Sequence, residues 1–183
     1  GVQTCALPIS ILVGRTEKVL EKLRELAVDD PDDWIIENSN VSDKVPAMVD
    51  YLYKRLQRRG YTERDVARMV NQERNVFAAL LVALGHGEGM ITGLTRTFSQ
   101  TAREVGRVLD AKPGATPFGI HMMVGKNHTS FLADTTMNER PSAGELAYIA
   151  RETAAVARRM GHEPRVAFLS YSTFGNPGGQ RSE

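Results

Sequence analysis

RVAFLSYSTFGNPGG, residues 165–179, is the stretch on which the fold reading turns. Val166, Ala167, Phe168 and Leu169 form an unbroken apolar run, the pattern of a strand covered on both faces as in a parallel sheet. A loop of Ser, Thr, Gly and Pro follows at once. Open α/β sheets bind ligands beyond the carboxyl ends of their strands. Ser170, Ser172, Thr173, Gly175 and Asn176 would offer hydroxyl, amide and backbone N–H groups there. By spacing alone the segment reads equally as a ligand loop and as a well-made turn.

Upstream of this stretch, short apolar runs alternate with helical periodicity, which is the α/β pattern with a largely parallel sheet. Ile11 to Val13 reads as a strand. Thr16 suits an N-cap for a helix carrying Val19, Leu20, Leu23 and Leu26 on one face. Trp34-Ile35-Ile36 reads as the next strand, after the turn-forming residues 29–33. Helix is expected from about Asp43 to Arg59, stopped by Gly60, then again from a Thr62 cap. A further helix is expected from Asn71 or Gln72 to Gly85. Met90 to Gly93 reads as a short buried strand. It leads into the cap-rich Thr95-Arg96-Thr97 and a helix through Leu109. Lys112-Pro113-Gly114 breaks the chain, and a subdomain boundary is placed there. Beyond it, Gly119 to Val124 and Ser130 to Ala133 read as a strand pair turning at residues 125–128. Ser142, with Glu145 three residues on, forms a capping box for a long helix to Met160.

The 183 residues, 42% hydrophobic and 25% charged with a net charge of +1, are ordinary globular material. That charge creates no field to recruit nucleic acid or an anionic membrane. The one basic cluster, Lys54-Arg55-Leu56-Gln57-Arg58-Arg59, reads as a solvated helix end or as a contact to a ligand phosphate. No apolar run is long enough to span a bilayer. The first nine residues, GVQTCALPI, back-translate to GGA GTT CAG ACG TGT GCT CTT CCG ATC, which resembles a sequencing adapter, so residues 1–9 are expected to be non-native. Cys5, the one cysteine, lies inside them. The remainder then has no thiol for a disulfide, a metal site or a nucleophile, in keeping with a reducing cytoplasm.

His86, His121, His128 and His162 lack metal-ligand spacing, so no metal site is expected. Ser170 and Ser172 lack the Gly-x-Ser-x-Gly elbow of a serine hydrolase. Neither a Walker A loop nor a dinucleotide fingerprint is present. Asp134 follows the apolar Phe131-Leu132-Ala133, where a carboxylate serves either as a loop cap or as a site residue. Arg96, beside a helix start, reads either as a surface arginine or as an anion contact.

Three segments together, the loop at 165–179, Asp134-Thr135-Thr136-Met137-Asn138-Glu139-Arg140-Pro141 and Gly87-Glu88-Gly89-Met90-Ile91-Thr92-Gly93, resemble the phosphate acetyl/butyryl transferase family. Within it they are most similar to the branch that forms the C-terminal domain of bacterial NADP-dependent malic enzymes. The resemblance runs from Ile11 to Gly179. It implies a three-layer α/β/α fold with two subdomains, residues 10–112 and 113–183, flanking a ligand cleft. The sheet is expected to be incomplete at both ends, leaving an exposed edge that favours association.

Family members that are active move acetyl between coenzyme A and phosphate, which requires cations for the phosphate, a base for the thiol and donors for the oxyanion. Two departures remove cations: Phe174 stands where a Lys or Arg is usual after Ser-Thr, and Leu56 where a further Arg is usual. The family's Asn-Asp-Leu-Ser-Arg-Gly segment is absent from these residues and is expected downstream. The resemblance therefore implies no catalytic residue here. It implies a domain that takes up acetyl-CoA as a regulator and mediates homo-oligomer formation in the cytoplasm, without nucleic-acid or membrane partners. No cofactor is expected in this stretch; NADP and a divalent metal would belong to a preceding domain that decarboxylates malate to pyruvate. The alternative is part of an active phosphate acetyltransferase. The ligand-contacting residues would be Thr92, Gly93, Thr95, Arg96 and Thr97, then Asp134, Thr135 and Asn138, with Ser170, Ser172, Thr173, Gly175 and Asn176.

Overall fold

Pro46 in the first turn of a helix and Gly60 after its end bracket the element from which the first half of the chain is built. In the computed structural model, which describes residues 10–28, 30, 34–93, 95–126 and 128–169, that helix is α2 (Val45–Leu56), extended by a 3-10 turn over Gln57–Arg59. Gly60 closes it at φ 85°, a left-handed conformation that costs glycine nothing. The elements preceding it are strand β1 (Ile11–Val13), helix α1 (Thr16–Glu25) and strand β2 (Ile35–Glu37); α3 (Glu63–Gln72), α4 (Arg74–Ala83) and α5 (Phe98–Gly106) follow. Strands β3 (Ile120–Val124) and β4 (Thr129–Ala133) and helix α6 (Ala143–Arg159) complete the order.

The fold is mixed α/β. Its described strands form two pairs: β1 and β2 parallel, with Ile11 beside Ile35, and β3 and β4 antiparallel, with Met122 opposite Phe131. The chain divides into two compact units, residues 1–110 and 111–183.

In the first unit, apolar faces at helical spacing meet. Met48, Leu52 and Leu56 of α2, Val66, Met69 and Val70 of α3, and Val76, Phe77, Ala79, Leu80 and Leu81 of α4 form one core with Val108. Ile11 and Val13 of β1 pack against it. Arg55 pins the end of this unit. Its guanidinium forks onto the Asp110 carboxylate, with Nη1 donating to Oδ2 at 2.7 Å and Nη2 to Oδ1, while Nε donates to the Arg107 carbonyl at 2.9 Å. The second unit is thinner. Only Ile149, Ala154 and Ala157 of α6 are buried among its described residues, and Phe118 meets Tyr148 edge-on. The hairpin shows Met122, Met123 and Val124 to solvent.

Local signals place the caps well. Thr62 and Ser142 each sit in a full capping box, with Asp65 and Glu145. Thr16 is a correction: it does not cap α1. The Gly14 N–H donates to the Glu37 carbonyl at 3.0 Å, so strand pairing continues past Val13 and Arg15 becomes the extended residue before the helix.

Two expected strands are also corrected. Met90 to Gly93 is irregular, with Ile91 fully exposed, and Val166 to Leu169 is irregular with Val166, Phe168 and Leu169 exposed. An apolar run becomes a strand only where another backbone pairs with it, and no described strand does so for either run.

The contrast in core depth gives a stability test. Phe77→Ala should destabilise the chain by about 3–5 kcal/mol, the range for emptying a fully buried aromatic site. Leu132→Ala, at a site exposed by 39%, should cost under about 1 kcal/mol. Guanidinium unfolding of both variants measures the difference.

Candidate functional site

A carboxylate that collects several N–H donors organises whichever loop supplies them, and Asp134 does this in the second unit. Its Oδ1 accepts from the backbone N–H of Gly119 (2.9 Å), Thr136 (3.0 Å) and Met137 (3.2 Å). Its Oδ2 accepts from the Asn138 N–H (2.7 Å) and the Asn138 Nδ2 (2.6 Å). The same amide also donates to the Pro117 carbonyl at 2.9 Å. The loop after β4 is thereby tied to the segment that leads into β3. Gly119 has to be glycine for this closure, because a Cβ there would collide with the Thr136 hydroxyl oxygen. Thr135 turns its hydroxyl to the His121 ring at Nδ1.

Burial opposes the charge on Asp134, but the N–H groups of Thr136, Gly119 and Asn138 outweigh it and hold the carboxyl at about 2. Of the two readings open in the sequence, the described contacts of Asp134 are those of a loop organiser: each of its oxygens already accepts from the loop.

In the first unit the segment from Thr92 to Thr97 sits over a buried polar chain. The Thr92 hydroxyl donates to Asn75 Oδ1 at 2.5 Å, Asn75 Nδ2 donates to Glu104 Oε2 at 2.7 Å, and Gln100 Nε2 donates to Glu104 Oε1 at 2.8 Å. Asn75 and Glu104 are 7% and 5% exposed and are the two buried polar residues among those described. Thr97 caps α5 by accepting from the Gln100 N–H at 3.3 Å. Thr92, Gly93, Thr95, Arg96 and Thr97 are all exposed, and the Thr95 N–H donates to the Gly93 carbonyl at 2.8 Å. Arg96 stands one residue before the cap, close enough to Glu73 for its charge to be felt there. Burial pushes the Glu73 carboxyl up, Arg107 at 3.1 Å pulls it down, Glu104 adds to the rise and Arg96 to the fall.

The residues from Thr92 to Thr97 therefore lie in one unit and those from Asp134 to Asn138 in the other. Ser170, Ser172, Thr173, Gly175 and Asn176 lie outside the described residues. Sequence reading passed over Asn75 and Glu104. One signal was available: Asn75 lies in the first turn of a helix and runs directly into the apolar Val76, Phe77, Ala79 and Leu80, all buried, so a polar side chain there needs partners. It also passed over two concavities in the first unit. One, of about 410 Å³, is lined by Arg59, Tyr61, Arg68, Glu73 and Arg107. The other, of about 370 Å³, lies at the carboxyl ends of β1 and β2, among Arg15, Asn38, Asn40, Asn71 and Arg74. Arg59 of the basic cluster thus faces a cavity, while Lys54 pairs with Asp50 at 2.6 Å. Among the described residues no group of three or more His, Cys, Asp or Glu side chains could hold a metal, and no helix is long and apolar enough to cross a membrane.

The sequence matches the family described as Phosphate acetyl/butaryl transferase over residues 3–183. It is 46% identical over 178 residues to the NADP-dependent malic enzyme of Rhizobium meliloti (strain 1021), covering 97% of this chain and 23% of that enzyme. It is 30% identical over 164 residues to the phosphate acetyltransferase of Nitratidesulfovibrio vulgaris, covering 89% of this chain and 23% of that protein. The chain thus spans under a quarter of the length of these relatives. Among solved structures, a phosphotransacetylase from Streptococcus pyogenes superposes with a TM-score of 0.75 at 30% identity, over 90% of this chain and 50% of that one.

The depressed Asp134 carboxyl makes a pH prediction. Its folded-state value of about 2 lies below the ordinary 3.8, so the charged form stabilises the fold above about pH 4, and this contribution is lost as pH falls through about 2. Urea unfolding should show roughly 2 kcal/mol of acid-sensitive stability across that window. In Asp134→Asn that component should be absent, and stability at pH 7 should be lower, because an amide nitrogen replaces one acceptor facing N–H donors.

Proposed function

The chain belongs to the phosphate acetyl/butyryl transferase family, and from that premise we propose that it is the acetyl-CoA-binding domain of an NADP-dependent malic enzyme, regulating and assembling that enzyme rather than transferring acetyl groups. The observation that carries this reading is the difference in similarity over nearly the same span: 46% identity to a malic enzyme against 30% to a phosphate acetyltransferase. Phe174, where the acyl-transferring members of the family place a cation, points the same way; Leu56, the other position expected to have lost one, is buried in the apolar core and carries no weight here. The parent protein oxidatively decarboxylates malate to pyruvate through NADP and metal sites outside this chain.

Taken separately, each unit has exposed residues that suit a ligand. In the first, Thr95, Arg96 and Thr97 lead into α5, where the helix dipole and a guanidinium favour the same anion. In the second, the loop from Asp134 to Asn138 has its backbone held by one carboxylate, so its exposed positions are presented in a fixed arrangement. Acetyl-CoA is recognised here as an anionic, amide-bearing thioester. Homo-oligomer formation and a cytoplasmic location belong to the same reading.

Calorimetric titration of the intact protein with acetyl-CoA, paired with an assay of acetyl transfer from acetyl phosphate to coenzyme A, tests this directly. Binding without transfer is expected, with acetyl-CoA altering malate turnover; turnover of acetyl phosphate would establish the acetyltransferase reading instead. Arg96→Ala should weaken acetyl-CoA binding by on the order of 1.5–3 kcal/mol, the scale of one charged hydrogen bond, while leaving malate turnover without effector nearly unchanged. An unaltered affinity in that variant would remove Arg96 from the site.

A further inference from the structure

The buried chain beneath the Thr92–Thr97 segment has a direction. A carboxylate only accepts hydrogen bonds, an amide has one accepting and one donating end, and a hydroxyl carries a single proton. Both Glu104 oxygens take N–H donors, one from Asn75 Nδ2 at 2.7 Å and one from Gln100 Nε2 at 2.8 Å. Asn75 must therefore turn its NH2 toward Glu104, where the Thr101 hydroxyl also stands 3.5 Å away. Its carbonyl is left facing Thr92, 2.5 Å from that hydroxyl. The Thr92 proton is committed to Asn75. Thr92 itself is exposed, while Asn75 and Glu104 are buried.

We propose that Glu104, acting through Asn75, fixes the hydrogen-bond polarity of Thr92, so that its hydroxyl oxygen offers a lone pair to a donor group of the bound ligand and not a proton to a phosphate. This rests on the acetyl-CoA reading above and deepens it: Thr92 meets the amide-bearing arm of the thioester, and the phosphates are met elsewhere. Asn75 and Glu104 are positioning residues, since both are buried beneath the exposed Thr92. A site built on a hydroxyl donor would have needed the opposite arrangement, with an N–H facing Thr92. Glu104→Gln removes the constraint, because a glutamine can donate as well as accept, and the Asn75 amide is then free to reverse.

A double-variant cycle on the intact protein tests this with acetyl-CoA as the probe. Thr92→Val, which keeps the shape and deletes the hydroxyl, should weaken acetyl-CoA binding about tenfold, the scale of one hydrogen bond. In a Glu104→Gln background the same substitution should change affinity less than about twofold. Independent, multiplying effects would overturn the proposal. Inorganic phosphate, titrated as a second probe, should bind wild type and Thr92→Val alike; a phosphate affinity that falls with Thr92→Val would also overturn it.

A measurement on the unliganded wild type separates failure of this inference from failure of the ligand assignment. Nuclear Overhauser contacts should run from the Asn75 side-chain NH2 protons to the Glu104 methylene protons and not to the Thr92 methyl. Contacts to Thr92 instead would refute the polarity whether or not acetyl-CoA binds. If the NH2 contacts are as expected and the protein takes up no acetyl-CoA, the polarity stands and the ligand assignment falls.

Discussion

Helix α4 is enclosed along most of its length, with Val76, Phe77, Ala79, Leu80 and Leu81 all buried, and that enclosure governs what its one buried polar residue, Asn75, can do. Asn75 is buried, at 7% exposure. An amide buried without partners would cost roughly 1–3 kcal/mol, so the surrounding elements must supply an acceptor and a donor. Glu104 from α5 supplies the first and Thr92 the second. The Asn75 bonds thereby tie α5 and the segment preceding it to the core.

Asp134 solves the converse problem. There a charge gathers backbone N–H groups that a loop without secondary structure would otherwise leave to water. With few buried apolar side chains in the second unit, the shape of that loop comes from polar convergence and not from packing. Both units present exposed residues on a scaffold of satisfied hydrogen bonds, one built from side chains beneath a segment and the other from main chain around a single carboxylate. Preorganisation of this kind lowers the ordering cost of taking up a ligand.

What could be read from the sequence follows the range of each interaction. The capping boxes at Thr62 and Ser142 close within three residues, and both were legible. So were β1, the β3–β4 pair and the helix stop at Gly60. Val166 to Leu169 and Met90 to Gly93 were not. Their composition satisfies the requirements of a strand, but a strand needs a neighbour from elsewhere in the chain, and composition cannot name one. The Asn75 network escaped for the same reason, since its partners lie 17 and 29 residues away. Asp134 was visible as a carboxylate after an apolar strand, yet its use of Gly119, 15 residues upstream, had no local mark. The family resemblance supplied the overall fold where local rules could not.

Met122 and Met123 are consecutive in β3 and are 46% and 58% exposed, so their thioethers point to opposite faces of the hairpin. Exposed methionine is open to sulfoxide formation, which turns a pliable apolar side chain into a polar, chiral one. Among the described residues both thioethers are open to that chemistry. Oxidised material would carry the change on both sides of a two-stranded element that has little buried core behind it.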